Sequence, residues 1–444
     1  SFVMASTKKT DFWVTTGMEF HIGGSFYSDG RSTFEREKYV EVSETGTVKE
    51  GEAFTVYKYA ANISSMYFDK DQLVANCAKE VGSASEIGFD DLLDEHKAAW
   101  VSNWVKSDIV IEGDVAAQQG IRFNIFQMNQ TYTGQDERLN IGPKGFTGEK
   151  YGGSTYWDTE AYCLAFYLAT AEPEVAKNLV LYRYKHLERA IENAQKLGFT
   201  DGAALYPMVT MNGEECHNEW EITFEEIHRN GAIAYAIYDY INYHGDEDYF
   251  IEYGLEVLIA ISRFWSQRVH WSESKGQYVM HGVTGPNEYE NNVNNNWYTS
   301  KMALWTLEYT LEGLKKYENS AALKALFDKV NFKGAEETEK WEHILDNMYL
   351  GYDEEKGVFL QQDNFLDKDL MPVDDIPDGQ RPINQNWSWD RILRSCFIKQ
   401  ADTLQGIYLF EDEFDIEIDN DAMEKMLSVK AAIKKADPEA TVDL

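Results

Sequence analysis

Four loop segments of this sequence combine carboxylates, aromatic rings and amides in a way that suits chemistry on a polar, ring-shaped ligand. The first reads YGGSTYWDTE at residues 151–160 and opens a predicted helix. Trp157 can stack on the face of a sugar ring, and Asp158 can accept hydrogen bonds from hydroxyl groups. Carboxylates such as Asp158 and Glu160 are also favoured in a first helical turn by the helix dipole alone. The residues by themselves leave both interpretations open.

Two further segments carry carboxyl groups beside aromatic rings. The run MNGEECHNEWE at residues 211–221 is too polar for a core and too aromatic for an ordinary loop, although a solvated turn stays an alternative. The run GVTGPNEYE at residues 282–290 places Glu288 between an amide and a phenol, just before a predicted helix. A carboxyl held near a buried layer can have the raised pKa that a general acid needs, but a glutamate before a helix is also commonplace.

The fourth segment lies in residues 387–410, which the apolar pattern predicts to be one helix. Within it, Lys399 and Gln400 either extend outward to solvent or point into a polar pocket. The sequence contains no Gly-rich phosphate loop after a strand, no G-x-S-x-G elbow, no H-E-x-x-H motif and no cysteine metal site. Together, the four segments suggest carbohydrate chemistry.

The overall composition narrows the classes of partner. The net charge is −35, from 41 basic and 76 acidic residues, which disfavours nucleic acid and anionic membrane surfaces as partners. The hydrophobic fraction of 43% is that of a globular protein. The four cysteines show no metal-binding spacing, which predicts free thiols and a reducing, cytoplasmic compartment. No apolar run approaches the roughly 20 residues that a membrane span needs.

The periodicity changes along the chain and indicates the elements that must position these loops. Residues 1–85 alternate like antiparallel strands, and a helix is predicted over residues 88–107. The later residues read as helices with long loops, and the helix at residues 225–243 is apolar on every side. Half-exposed helices that alternate with fully buried ones predict two concentric layers, as in an α/α toroid or a two-layer bundle.

The same segments resemble glycoside hydrolase family 65, the inverting disaccharide phosphorylases. The resemblance runs from the first residues to about residue 410 and is carried by NIGPKGFTG at residues 140–148, YWDTE at 156–160, residues 213–231, residues 284–296 and the pair Lys399 and Gln400. It implies a mainly α fold: an (α/α)6 catalytic barrel over residues 116–410, incomplete at its C-terminal end. A helical linker (86–115) and part of an antiparallel β-sandwich (1–85) would precede the barrel, and a divergent tail (411–444) would follow it.

The resemblance also implies an activity, the phosphorolysis of maltose to β-D-glucose 1-phosphate and D-glucose with anomeric inversion. Glu288 would be the general acid and inorganic phosphate the nucleophile, so no metal or organic cofactor is expected. The residues implied to bind sugar are Trp157, Asp158, Lys399 and Gln400 for the transferred glucosyl unit, and His217 and Glu219 for the acceptor. Members of this family are commonly homodimers, and the same assembly is implied here.

Three alternatives stay open at this point. The first is another disaccharide of the same family, as in a trehalose- or kojibiose-type phosphorylase. The second is an α-glucoside hydrolase, in which a second glutamate activates water. The third is an inactive, truncated chain, because the family's phosphate-binding segment, which contains Ser and His, has no counterpart in residues 411–444.

Overall fold

A computed structural model describes residues 1–8, 10–142, 152–217 and 220–414. The chain divides into two compact units, Ser1–Asp108 and Ile109–Leu444. The division falls after the helix predicted over residues 88–107.

The N-terminal unit is built on an antiparallel sheet, as the alternating pattern predicted. Three strands, β1 (Phe2–Ser6), β2 (Trp13–Gly24) and β5 (Phe54–Ser64), pair in the order β1-β2-β5, and β3 (Tyr27–Arg36) pairs with β4 (Tyr39–Thr47). Two helices follow, α1 (Leu73–Ile87) and α2 (Phe89–Ser107). A small buried core is formed by Ile63 of β5 and three residues of α1, Leu73, Cys77 and Val81.

The second unit is mainly helical. Its helices are α3 (Val115–Thr131), α4 (Leu164–Thr170), α5 (Pro173–Lys185), α6 (Leu187–Lys196), α7 (Trp220–Glu225), α8 (Arg229–His244), α9 (Glu247–Tyr249), α10 (Leu255–Arg268), α11 (Trp297–Lys316), α12 (Ala321–Val330), α13 (Ala335–Asn347), α14 (Ile383–Asn386), α15 (Trp389–Arg394) and α16 (Thr403–Leu409). A π-helical turn at Thr159–Cys163 leads into α4. Two short antiparallel pairs lie between helices: β6 (His270–Ser272) with β7 (Gln277–Val279), and β8 (Tyr352–Asp353) with β9 (Val358–Phe359).

The core of this unit lies around α8, α10 and α11, which pack on one another. Every residue of α10 from Leu255 to Ser266 is buried, because most of them are apolar and the charged Glu256 and Arg263 are paired with Lys329 and Glu337. The apolar pattern predicted burial of the helix at residues 225–243, and α8 is buried along most of its length. Gly245 ends α8 in the left-handed conformation, with φ of 67°.

The prediction of one continuous helix over residues 387–410 is wrong. The chain forms α15, then a loop over residues 395–402, and then α16. Helical hydrogen bonds are lost there because polar groups of a distant loop replace them: the Lys399 backbone N–H donates to Asn287 Oδ1 at 2.9 Å. The Asp402 carboxylate likewise accepts hydrogen bonds from Asn296 Nδ2. Lys399 and Gln400 therefore belong to a loop.

Composition and residue spacing led to expectations about the cysteines, metal binding and membrane spans. All four cysteines are free thiols, as predicted. No group of three or more His, Cys, Asp or Glu side chains within the described residues could hold a metal ion. No helix in the same part of the chain is both long and apolar enough to cross a membrane.

Candidate active site

Three of the four segments singled out in the sequence meet around a buried polar pair, Glu226 and His228, just before α8. Both side chains are buried almost completely, and His228 Nε2 lies 3.6 Å from Glu226 Oε1. Glu226 Oε2 and both ring nitrogens of His228 find no hydrogen-bond partner among the described residues. The ring of Trp157 meets the ring of His228 edge to face, with 4.6 Å between ring centroids. This contact joins the segment before α4 to the start of α8.

Glu226 is surrounded by the charges of the predicted site. The pKa of Glu226 is raised to about 8, mainly by burial and then by the nearby carboxylates of Glu288 and Asp158. The cations Arg229 and Lys399 oppose this rise in pKa. Because such effects act only between neighbours, Glu288, Asp158 and Lys399 all lie within electrostatic reach of one buried carboxyl group.

Glu288 and Lys399 form an ion pair at this site. Lys399 Nζ lies 2.5 Å from Glu288 Oε2. Their side chains stay 30% and 45% exposed, so both groups are accessible to a ligand. A carboxyl group can pass a proton to a leaving oxygen, and an ammonium group can donate hydrogen bonds to a sugar hydroxyl or an anion. Gln400 follows Lys399 in the same loop and is half-buried.

Trp157 and Asp158 are held by a buried ion pair behind them. Arg183 donates from Nε and Nη2 to the two carboxylate oxygens of Glu160, at 2.7 and 2.9 Å, and both side chains are buried. Arg183 Nη2 also donates to the Tyr156 carbonyl at 3.4 Å. Of the two acids that the sequence left open, Glu160 is thus a structural partner, whereas Asp158 is half-buried beside Trp157, which is 5% exposed.

The loop that carries His217 is fixed by a neighbouring carboxylate. Glu215 accepts hydrogen bonds from the backbone N–H groups of Met208, Val209 and His217, at 2.7, 3.1 and 3.1 Å. His217 itself is half-buried in this separate loop. Glu219, predicted to shape the acceptor site, lies outside the described residues.

Sequence reasoning missed Glu226, His228 and the buried Asp402. A signal for the first two was present: the polar run EEIHRN at residues 225–230 leads into a helix that is apolar all round. Polar residues at the start of such a helix are buried with it. Burial of a polar group costs free energy unless hydrogen bonds or opposite charges compensate for the lost water. No comparable local pattern marks Asp402, because its partners come from a distant loop.

The buried Glu226 leads to a prediction on stability. Its pKa of about 8 lies above the ordinary value of 4.5, so between these two values the folded state keeps a proton that the unfolded state has released. Stability should therefore fall as the pH rises through this window. Glu226→Gln removes this loss, and we expect its melting temperature to exceed that of the unmodified protein by several degrees at pH 8. One kcal/mol corresponds to about 2–4 °C for domains of 150–250 residues.

The difference between the two melting temperatures should be small at pH 5, where the unfolded state also binds part of a proton. Differential scanning calorimetry at both pH values measures it. The exposed Glu312→Gln on α11 serves as the matched control and should change neither value. An equal gain for Glu226→Gln at pH 5 and pH 8 would contradict the explanation by burial.

The class of protein follows from family profiles, which describe a carbohydrate-active catalytic domain. Two family profiles match the chain: Glycosyl hydrolase family 65 central catalytic domain over residues 122–428, and Glycosyl hydrolase family 65, N-terminal domain over residues 1–103. The chain belongs to glycoside hydrolase family 65. The predicted fold class is confirmed, mainly α with a helical barrel unit and an N-terminal antiparallel β-unit.

Individual relatives are phosphorylases of several disaccharides. The chain is 58% identical over 360 residues to maltose phosphorylase of Bacillus subtilis (strain 168), which covers 81% of this chain and 46% of the relative. It is 35% identical to α,α-trehalose phosphorylase of Thermoanaerobacter brockii, over 93% of this chain and 53% of that one. A solved structure provisionally named kojibiose phosphorylase, from the human microbiome, superposes with a TM-score of 0.81 at 32% identity, over 93% of this chain and 54% of that chain. The chain thus spans about half the length of these relatives.

Proposed function

We propose that the protein catalyses the phosphorolysis of maltose to β-D-glucose 1-phosphate and D-glucose, with inversion at the anomeric carbon. The observation that carries the proposal is the 58% identity with a relative named maltose phosphorylase. Identity falls to 35% with the trehalose phosphorylase and to 30% with a kojibiose phosphorylase of Halothermothrix orenii. The protein would thus act as a glycosyltransferase whose acceptor is phosphate.

In the proposed reaction, Glu288 donates a proton to the glycosidic oxygen as the bond from that oxygen to the anomeric carbon breaks. Inorganic phosphate attacks the same carbon from the opposite face, forms the new C–O bond and inverts the configuration. In the protonated form that donates the proton, the Glu288 carboxyl still accepts a hydrogen bond from the Lys399 ammonium group, which keeps it in place. Lys399 can also donate to a sugar hydroxyl. Trp157 forms an apolar wall, and Asp158 accepts from hydroxyl groups of the glucosyl unit.

The remaining predicted residues complete the proposed sugar site. Gln400 extends the glucosyl-binding loop beyond Lys399, and His217 and Glu219 are proposed to bind the acceptor glucose. Phosphate is already an anion, so the nucleophile needs a binding site and no base to activate it. The proposed reaction therefore uses neither a metal nor an organic cofactor.

Hydrolysis would need a different arrangement of carboxylates. An inverting hydrolase requires a second, ionised carboxylate about 6.5–9.5 Å from the acid, to activate water. Glu226 is a poor candidate for that base, because burial holds its pKa at about 8 and leaves it 1% exposed. Glu226 is therefore not proposed as the base of a hydrolase.

The test is phosphate dependence with several disaccharides. The purified protein is incubated with maltose, trehalose or kojibiose, with and without inorganic phosphate, and glucose and β-glucose 1-phosphate are quantified. We expect equimolar amounts of both products from maltose, only when phosphate is present. Glucose release without phosphate would establish hydrolysis instead, and turnover of trehalose or kojibiose in place of maltose would overturn the substrate. No product from any sugar, in a protein that melts cooperatively, would overturn the activity.

A further inference from the structure

Asp402 is a buried carboxylate beside the site that the proposed reaction does not use. It precedes α16 and is 2% exposed. Asn296 Nδ2 donates to both of its oxygens, at 3.0 and 3.1 Å, and the Asn287 backbone N–H donates to Oδ2 at 3.4 Å. A buried carboxylate costs free energy unless such donors compensate it, so the contacts call for an explanation beyond packing.

Asn287 links the loop that carries Glu288 to the loop that carries Lys399. Its side-chain Oδ1 accepts from the Lys399 backbone N–H at 2.9 Å and from the Tyr289 backbone N–H at 3.3 Å. The residue is completely buried. Asn287 directly precedes Glu288, so these bonds fix the backbone of both loops that carry the ion-paired side chains, Glu288 and Lys399.

Asn296 anchors the same network to a rigid element. Its Oδ1 accepts from the backbone N–H and the hydroxyl of Thr299, at 2.8 and 2.7 Å, and so caps α11. Its Nδ2 also donates to the Gln361 carbonyl at 3.2 Å. Through Asn296, Asp402 is therefore held by the start of helix α11 as well as by the Glu288 loop.

Gly285 shows how closely the Glu288 loop approaches this carboxylate. A Cβ atom at Gly285 would lie 2.2 Å from Asp402 Oδ2 and 2.5 Å from Asn296 Nδ2. Both distances are far below van der Waals contact, so any side chain here would displace the network. The glycine is required for space, since a close backbone approach is one of the standard uses of this residue.

We propose that Asp402, Asn296 and Asn287 form a clamp that positions the Glu288 carboxyl against Lys399. This inference rests on the proposed function, because it makes Asp402 a positioning residue for that reaction. Its effect would be on geometry: a displacement of about 1 Å in a catalytic group can lower the rate by about 100-fold.

Charge supports the same role. Burial raises the pKa of Asp402 to about 7, while hydrogen bonds from Asn296 and Asn287 oppose the rise. The carboxylate of Glu290 also raises this pKa, and Glu290 is itself paired with Lys368 at 2.5 Å. Tyr298 also lies within its electrostatic reach, and Lys399 and Glu288 are the charged side chains on the two clamped loops. The ionised carboxylate accepts hydrogen bonds from Asn296 Nδ2 and from the Asn287 backbone N–H, so the clamp should weaken as the pH falls below about 7.

The kinetic test uses two independent changes to the clamp. Asp402→Asn keeps the shape but replaces an acceptor oxygen by a donor, and Gly285→Ala pushes the carboxylate aside without changing any functional group. For both, we expect kcat of phosphorolysis to fall by about 10- to 100-fold with KM changed much less. Because protonation of Asp402 weakens the clamp, kcat of the unmodified protein should decline from pH 8 to pH 6. This decline should be smaller in Asp402→Asn. Gly379→Ala, at an exposed glycine whose Cβ would meet nothing within 4 Å, is the control and should change none of these.

Amide hydrogen exchange tests the clamp without relying on activity. The backbone amides of Asn287 and Lys399 should exchange faster in both variants, while amides in α10 keep their protection. Unchanged kcat with unchanged exchange would overturn the proposal, and so would an acceleration of equal size in α10, which would indicate a general loss of stability. If the unmodified protein turns over no disaccharide, the proposed function fails, but the exchange measurement still decides on the clamp.

Discussion

Glu288→Gln is expected to lower kcat/KM for disaccharide phosphorolysis by about 10²–10⁴-fold, the usual contribution of a positioned general acid. The amide has nearly the same shape as the carboxylic acid but cannot release a proton to the glycosidic oxygen. Glu288 is 30% exposed, so the exchange should leave the fold intact. The measurement is the initial rate of β-glucose 1-phosphate formation from maltose and phosphate, with melting temperatures compared in parallel.

A substrate with an activated leaving group separates acid catalysis from mere binding. In α-D-glucosyl fluoride the departing fluoride needs little protonation, so the deficit of Glu288→Gln should shrink with this substrate. Glu273→Gln, at an exposed glutamate between β6 and β7, is the matched control and should retain full activity with both substrates. An equal deficit with maltose and with the fluoride would show that Glu288 is not the general acid.

The architecture could be predicted because it depends on local patterns. The alternation over residues 1–85 predicted antiparallel strands, and β2 and β5 lie in this stretch. The apolar pattern at residues 225–243 predicted a helix buried on all sides, and α8 is buried along most of its length. Such patterns suffice for element type and burial because period and hydrophobicity are properties of adjacent residues.

The arrangement of the site was less predictable, because it depends on contacts between distant segments. The apolar pattern of residues 387–410 favoured a helix, but the bond from Lys399 to Asn287 and the burial of Asp402 stabilise a loop there. The partners are Asn287 for Lys399 and Asn296 for Asp402. Each lies more than a hundred positions away in the sequence, so no local pattern indicates these contacts. The roles predicted for Glu288, Trp157 and their neighbours came from family resemblance, and they stay predictions until the variants are measured.

The buried Arg183–Glu160 ion pair leads to the second large prediction. Glu160→Ala is expected to lower the free energy of unfolding by about 3–5 kcal/mol, the usual cost of leaving one partner of a buried pair uncompensated. Both side chains are at most 4% exposed, so water cannot replace the lost carboxylate without rearrangement. Chemical denaturation followed by far-UV circular dichroism gives the unfolding free energy of each variant.

A double variant distinguishes a lost ion pair from a lost volume. Glu160→Leu combined with Arg183→Met replaces both charges by apolar groups, and it should be less destabilised than Glu160→Ala, since no unpaired charge is left. The exposed pair of Arg189 and Glu192 on α6 is the matched control, and Glu192→Ala should cost less than about 1 kcal/mol.

Arg183 also holds the Tyr156 carbonyl next to Trp157, so the double variant, although folded, should bind glucose more weakly than the unmodified protein. Unimpaired glucose binding by the double variant would show that the pair supports the fold without positioning Trp157.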